Sequence, residues 1–241
     1  MKRTAIRRRV ARVLHKRPAV PSVSATAMRA EIISIAQRMS SSGLSPGRSG
    51  NVSARIDGGM LITPTGMAYA EMRPADIVEV RIDGRVAPGQ RVASSEWRVH
   101  LAIYKARDDV GAIVHTHSLN ATALSCLHRG IPAFHYMVAE AGGDKIACAP
   151  YATYGTEELA RHGVKALGAR RACLLANHGA VAVAESLRKA YELAAEVETL
   201  AAQYARALQI GRPKLLTGRE MARVIEKFKT YGKQTELKAK A

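Results

Sequence analysis

Strand-like and helix-like stretches alternate along most of this chain, and that alternation limits what it can fold into. The short runs 51–56 (NVSARI), 59–64 (GMLITP), 76–82 (DIVEVRI), 112–118 (AIVHTHS), 172–177 (ACLLAN) and 180–184 (AVAVA) have the length and β-branched content of strands. Gly58–Gly59 marks a tight turn between the first two. Residues 30–39, 94–106, 119–128 and the stretch from Ser186 to Gln209 carry apolar residues at helical spacing, and a last helix is expected over 218–230. Gly43 ends the first helix, and Ser94 or Ser95 is the expected cap of the second. The helix from Ser186 has the clearest stripe: Ala190, Leu193, Ala194, Val197, Leu200, Ala201, Tyr204 and Leu208, with Gly211 and Pro213 beyond its end. There is no internal repeat. A chain of 241 residues can bury a substantial core, so this mixture predicts one α/β-type domain.

The run AIVHTHS places His115 and His117 one residue apart at the end of a buried strand. Alternate side chains of a strand share a face, so both imidazoles project together. A third imidazole, His178, follows the strand 172–177 directly, at a turn where Gly179 relaxes the backbone. Three neutral imidazoles suit Zn²⁺, and three protein ligands leave a position open for chemistry. Glu96, at the start of the 94–106 helix, is the candidate carboxylate. An acid there also complements the helix dipole. His100, one turn on, can share its face, although helix packing accounts for it as well.

Nearly half of the net charge of +17 is local, with eight Lys and Arg and no acid in residues 1–20, and the remaining surface is still basic. Pro18, Pro21, Ser22 and Ser24 read as a linker, which divides the chain into a basic extension over 1–24 and a catalytic domain with a C-terminal tail over 25–241. A solvated tail, an organelle-targeting peptide and a nucleic-acid contact all fit such a segment. No aromatic-studded basic motif accompanies it, so no nucleic-acid partner is expected. No apolar run approaches the ~18 residues that span a bilayer, so no membrane partner is expected either. Cys126, Cys148 and Cys173 are scattered without a CxxC pair, which suits a reducing, cytoplasmic setting.

The stretches SGNVSAR, LITPTGM, SSEWRVH, IVHTHS, IPAFHYM, AGGDKIACAPYATYGT, ANHG and EKFKTYG, in that order from about residue 25 to 234, resemble the class II (zinc-dependent) aldolase/adducin-like family. Within it they are most similar to aldolases acting on L-fuculose 1-phosphate. The resemblance implies an α/β three-layer sandwich with a mixed, largely antiparallel central sheet, and a homotetramer with active sites between subunits. It implies one zinc per subunit on His115, His117 and His178, with Glu96 completing the shell and then serving as acid/base. It implies a phosphate grip from Gly50, Asn51, Thr65, Gly66, Ser94 and Ser95. It assigns Tyr136 to proton exchange on the aldehyde side, Tyr154 to the aldehyde pocket at a position where phenylalanine is usual, and Tyr231 to closing a neighbouring subunit's site. The implied reaction is retro-aldol cleavage of a ketose 1-phosphate, such as L-fuculose 1-phosphate, to dihydroxyacetone phosphate and a short aldehyde such as L-lactaldehyde. Alternatives on the same fold are a pentulose-phosphate 4-epimerase or a sugar-phosphate dehydratase. Glutamate rather than aspartate at position 96 favours the aldolase over the epimerase. Non-catalytic relatives lose the metal ligands, and this chain keeps all four.

Overall fold

The computed structural model describes residues 24–229, so the basic segment and the tail carrying Tyr231 lie outside the described residues. Seven strands form one sheet: β1 (Asn51–Ile56), β2 (Gly59–Ile62), β3 (Val78–Arg81), β4 (Ala112–Thr116), β5 (Ala147–Ala149), β6 (Ala172–Leu175) and β7 (Gly179–Ala184). Their order is β3-β2-β1-β4-β7-β6-β5. Every neighbouring pair is antiparallel except β5–β6. Six helices flank it: α1 (Ala25–Ser41), α2 (Trp97–Ala106), α3 (Leu119–Cys126), α4 (Glu157–Leu167), α5 (Leu187–Ile210) and α6 (Gly218–Phe228). This is the three-layer α/β sandwich with a mixed, largely antiparallel sheet.

The pleat sorts side chains into two cores. In β7, Ala180, Ala182 and Ala184 join α1, α3 and α5 on one face, while Val181 and Val183 join α2 and α4 on the other. The alanine face lets the 24-residue α5 lie close to the sheet, and α5 answers with its own Ala190, Ala194 and Ala201. Its larger buried residues, Leu187, Leu193, Val197 and Leu200, each contribute roughly 1.5–3 kcal/mol by leaving water. Hydroxyls start four of the helices. Ser24, Thr156, Ser186 and Thr217 accept from the backbone N–H groups of Ala27, Leu159, Lys189 and Glu220.

Several elements differ from the sequence expectation. The second helix begins at Trp97, with Glu96 at the N-cap position, so neither Ser94 nor Ser95 caps it. Ser94 Oγ accepts instead from Glu96 N at 3.3 Å, inside the turn that precedes the helix. Asp76 belongs to a 3-10 turn (Pro74–Asp76) rather than to a strand. The sequence reading assigned no element to α4 or β5. Gly163 interrupts α4, at a propensity cost of about 1 kcal/mol relative to alanine. A Cβ there would make only ordinary contact with Leu175 and Val99, at 3.6 and 3.7 Å, so the glycine weakens the helical signal without being required by packing. β5 has only three residues, too few to show a period.

Gly179 begins β7 at a close approach to β4. A Cβ there would lie 2.2 Å from the Thr116 carbonyl oxygen and 3.1 Å from His117 Cδ2. Gly179→Ala is therefore expected to lose about 1–3 kcal/mol of stability through overpacking, measured by urea unfolding. An unchanged midpoint would show that the β4–β7 seam yields freely.

Candidate metal centre and active-site cleft

β4 delivers the first imidazole and its continuation delivers the second. His115 is paired on both sides, opposite Asn51 of β1 and Val181 of β7. Its Nδ1–H donates to the Ala180 carbonyl at 2.9 Å, which leaves the Nε2 lone pair facing the cleft side of the sheet. His117 lies just past the strand end on the same face, and His178 occupies the turn between β6 and β7. The three rings stand nearly perpendicular to one another, with centroids 4.8, 4.8 and 4.9 Å apart. Glu96 reaches into the same point: Oε2 lies 2.9 Å from His115 Nε2 and Oε1 lies 3.0 Å from His178 Nε2. Asn51 Nδ2 donates to Oε2 at 3.0 Å.

Burial opposes charge on Glu96, yet the charge and close approach of His115, with His178 beside it, outweigh it and hold the carboxyl well below its usual range. Burial likewise opposes charge on His115, but Glu96 pulls its pKa up. Burial, reinforced by the charges on His115 and His178, pushes His117 down to about 3. An ionised carboxylate that attracts positive charge, set among imidazoles, is a donor set suited to a cation.

The geometry supports the same conclusion. The ligand atoms of Glu96, His115, His117 and His178 all lie within 4.8 Å of one another. His115 Nε2 and His117 Nε2 are only 2.9 Å apart. Glu96 Oε1 is buried and, despite its closeness to His178, makes no well-oriented hydrogen bond. Lone pairs crowded this tightly around one point repel unless a proton or cation lies among them. These residues fit a divalent metal.

Three of the four cluster residues, Glu96, His117 and His178, line a cleft of about 280 Å³, while His115 lies buried behind them. Gly50, Asn51, Thr65, Gly66, Ser94, Ser95, Glu96, His117, Tyr154 and His178 all line it, so ten of the residues expected in the site converge. Gly50 must be glycine for two reasons. Its φ is +84°, and a Cβ would lie 2.6 Å from the His115 carbonyl oxygen. Tyr136 is not among the lining residues. It is half-exposed in a 3-10 turn (Tyr136–Ala141), against His135 and Phe228. Tyr231 lies outside the described residues. His100 turns away from Glu96: it is fully buried, with Nδ1 2.7 Å from Ser53 Oγ. The cleft is also lined by Arg48, Ser49, Pro64, Tyr151, Ala152 and Asn177, none of which the sequence reading gives a role. Arg48 is the one cationic side chain lining the cleft among the described residues. It leaves a single visible signal, a base two residues before the Gly50–Asn51 turn.

Comparison with known proteins agrees with this picture. The family described as Class II Aldolase and Adducin N-terminal domain matches residues 30–205. The 5-methylthioribulose-1-phosphate/5-deoxyribulose-1-phosphate aldolase of Rhodospirillum rubrum is 51% identical over 214 residues, covering 89% of this chain and 96% of that protein. The L-fuculose phosphate aldolase of Escherichia coli K12 is 48% identical over 207 residues, covering 86% and 96%. A solved L-fuculose 1-phosphate aldolase superposes with a TM-score of 0.82 at 42% identity, covering 86% of this chain and all of that one. The chain belongs to the class II aldolase family, whose members named here are sugar-phosphate lyases. Among the described residues, no helix is long and apolar enough to cross a membrane.

Metal removal should be visible as lost stability. A divalent ion at 100-fold its Kd adds about 2.7 kcal/mol to the folded state. Dialysis against a chelator should then lower Tm by roughly 5–10 °C, reversibly on adding the cation back. A Tm indifferent to chelation would argue against metal binding by this cluster.

Proposed function

We propose that the chain is a zinc-dependent aldolase that cleaves the C3–C4 bond of a ketose 1-phosphate, releasing dihydroxyacetone phosphate and a short aldehyde. The observation that carries this reading is one cleft that joins a Glu96–His115–His117–His178 cluster to a wall of small and hydroxylated residues with a single arginine. Held by the three imidazoles, with Glu96 beside them, zinc would supply the positive charge that stabilises the carbanionic half of the cleaved bond. It is one ion per subunit.

Glu96 moves the proton. Its carboxylate can take a proton from C3 in the synthetic direction and return it after cleavage. Asn51 steadies one oxygen of the carboxylate through its Nδ2–H. The phosphate is taken by the small and hydroxylated residues of the same cleft, Gly50, Asn51, Thr65, Gly66, Ser94 and Ser95. The amides of Thr65 and Ser94 already donate to the carbonyls of Val92 and Thr63, so these two residues contribute hydroxyls. Arg48 adds full charge. Its Nη1 donates to the Gly66 carbonyl at 3.0 Å, which leaves other guanidinium donors for an anion.

Tyr154, exposed on the cleft wall, offers its phenol to the aldehyde half. Tyr136 and Tyr231 act on the cleft of a neighbouring subunit in a homotetramer. The partial exposure of Tyr136, away from its own cleft, supports that placement. The related enzymes are named for L-fuculose, 5-deoxyribulose and 5-methylthioribulose phosphates. These share the phosphate-bearing half and differ in the aldehyde, so the aldehyde wall sets the choice. The three unpaired thiols support a reducing, cytoplasmic setting.

The test is a retro-aldol screen across those three sugars as 1-phosphates, together with metal analysis. Stoichiometric zinc and dihydroxyacetone phosphate release are expected, and absence of release from every ketose 1-phosphate would overturn the reading. Glu96→Gln should keep the fold while kcat falls by about 10²–10⁴. Arg48→Ala should raise KM by about 10-fold, the worth of one charge-assisted hydrogen bond, and leave kcat within a few-fold.

A further inference from the structure

Among the described residues, two residues other than glycine have positive φ: His128 at 52° and Asn177 at 53°. Left-handed backbone costs most side chains roughly 1–3 kcal/mol, although asparagine tolerates it better. Although 49 residues apart, these two touch: His128 Nε2 lies 2.6 Å from Asn177 Oδ1. Two strained residues that find each other across the fold form one device rather than two separate turns.

A third residue joins them. The Ser125 carbonyl accepts both His128 N–H at 2.9 Å and Asn177 N–H at 3.1 Å. The Ser125 hydroxyl accepts His178 N–H at 3.2 Å. The end of α3 is thereby fastened to the β6–β7 turn, and that turn carries the third imidazole of the cluster.

His178 needs this support more than His115 does. Strand pairing on both sides and the Ala180 carbonyl fix His115. His178 sits between two strands, in a turn, and its ring has no hydrogen bond to backbone among the described residues. Its ring meets Glu96 Oε1 at 3.0 Å, and the backbone of residues 177 and 178 sets the point from which that ring projects.

We propose that His128 and Asn177 form a latch that holds His178 in the orientation the metal requires. Both are positioning residues, and neither is assigned contact with the reacting atoms. The inference rests on the metal-binding reading of the cluster. The His128 Nε2–H donates to Asn177 Oδ1 and thereby keeps the turn in its left-handed form. The pair is exposed to solvent, so its effect is expected in ligand orientation rather than in global stability.

The test compares zinc affinity, by competition with a chromophoric chelator, in the wild type and in His128→Ala, Asn177→Gly and the exchange His128→Asn/Asn177→His. Asn177→Gly is informative because glycine adopts positive φ without strain. It keeps the turn and deletes only the side-chain bond. Each single variant should bind zinc about 10-fold more weakly, the size usual for a residue that orients a metal ligand. The Tm of the metal-free protein should stay within a degree or two. The exchange reinstates a donor–acceptor pair and should recover most of the affinity. Zinc affinity within two-fold of wild type in both single variants would overturn the latch, as would a metal-free Tm that falls in step with the affinity. A wild type that binds no zinc would instead overturn the metal centre, and the latch with it.

Discussion

The register of β4 against β1 and β7 governs the rest of the molecule. A slip of one residue would turn His115 and His117 toward α5 and the alanine core, because successive side chains alternate between faces. The correct register also sets Asn51 across from His115, within reach of Glu96, and brings the Ala180 carbonyl to His115 Nδ1. Where β4 ends and the imidazoles leave the sheet, each neighbour offers a glycine. A side chain on Gly50 would strike the His115 carbonyl, and one on Gly179 the Thr116 carbonyl. The two flanking chains are stripped to backbone at the level where the ligands must converge.

Behind the cluster, the protein keeps its polar groups neutral. Ser53 Oγ bridges His100 Nδ1 at 2.7 Å and Tyr104 Oη at 2.8 Å, all buried between β1 and α2. Burial, with the positive charge of His115 nearby, pushes His100 down to about 3. Burial also pushes the Tyr104 hydroxyl up. Neither group carries charge near neutral pH, so the strong local field comes from the cluster itself, Glu96 above all. In a poorly polarisable surrounding that field acts over the short distances of the cluster with little attenuation.

How much of this could be read from the sequence depended on distance along the chain. The alternation that puts His115 and His117 on one face is local, and so is the stripe of α5, and both were legible. His178 and Glu96 stood out through chemistry and the family resemblance rather than through spacing. What stayed hidden is non-local or brief. Arg48 acquires meaning only when the 48–51 turn meets Gly66. Asn177 and His128 look ordinary until the end of α3 meets the β6–β7 turn. The helix boundary at Trp97 was misplaced because Ser94 and Ser95 are good capping residues, whereas the chain places an acid at that position.

That acid has a consequence for the family at large. Glu96 occupies the N-cap of α2 but gives the helix no side-chain hydrogen bond, since its oxygens face His115, His178 and Asn51. A serine or aspartate there would typically strengthen a helix by about 1 kcal/mol. The three-imidazole cluster and the left-handed turn beside it are further features that folding alone would not favour. In the metal-free protein these features are costs, and substitutions that remove them relieve the fold of strain and crowding. Losing the site forfeits the metal's contribution but also relieves these costs, so the two changes offset one another.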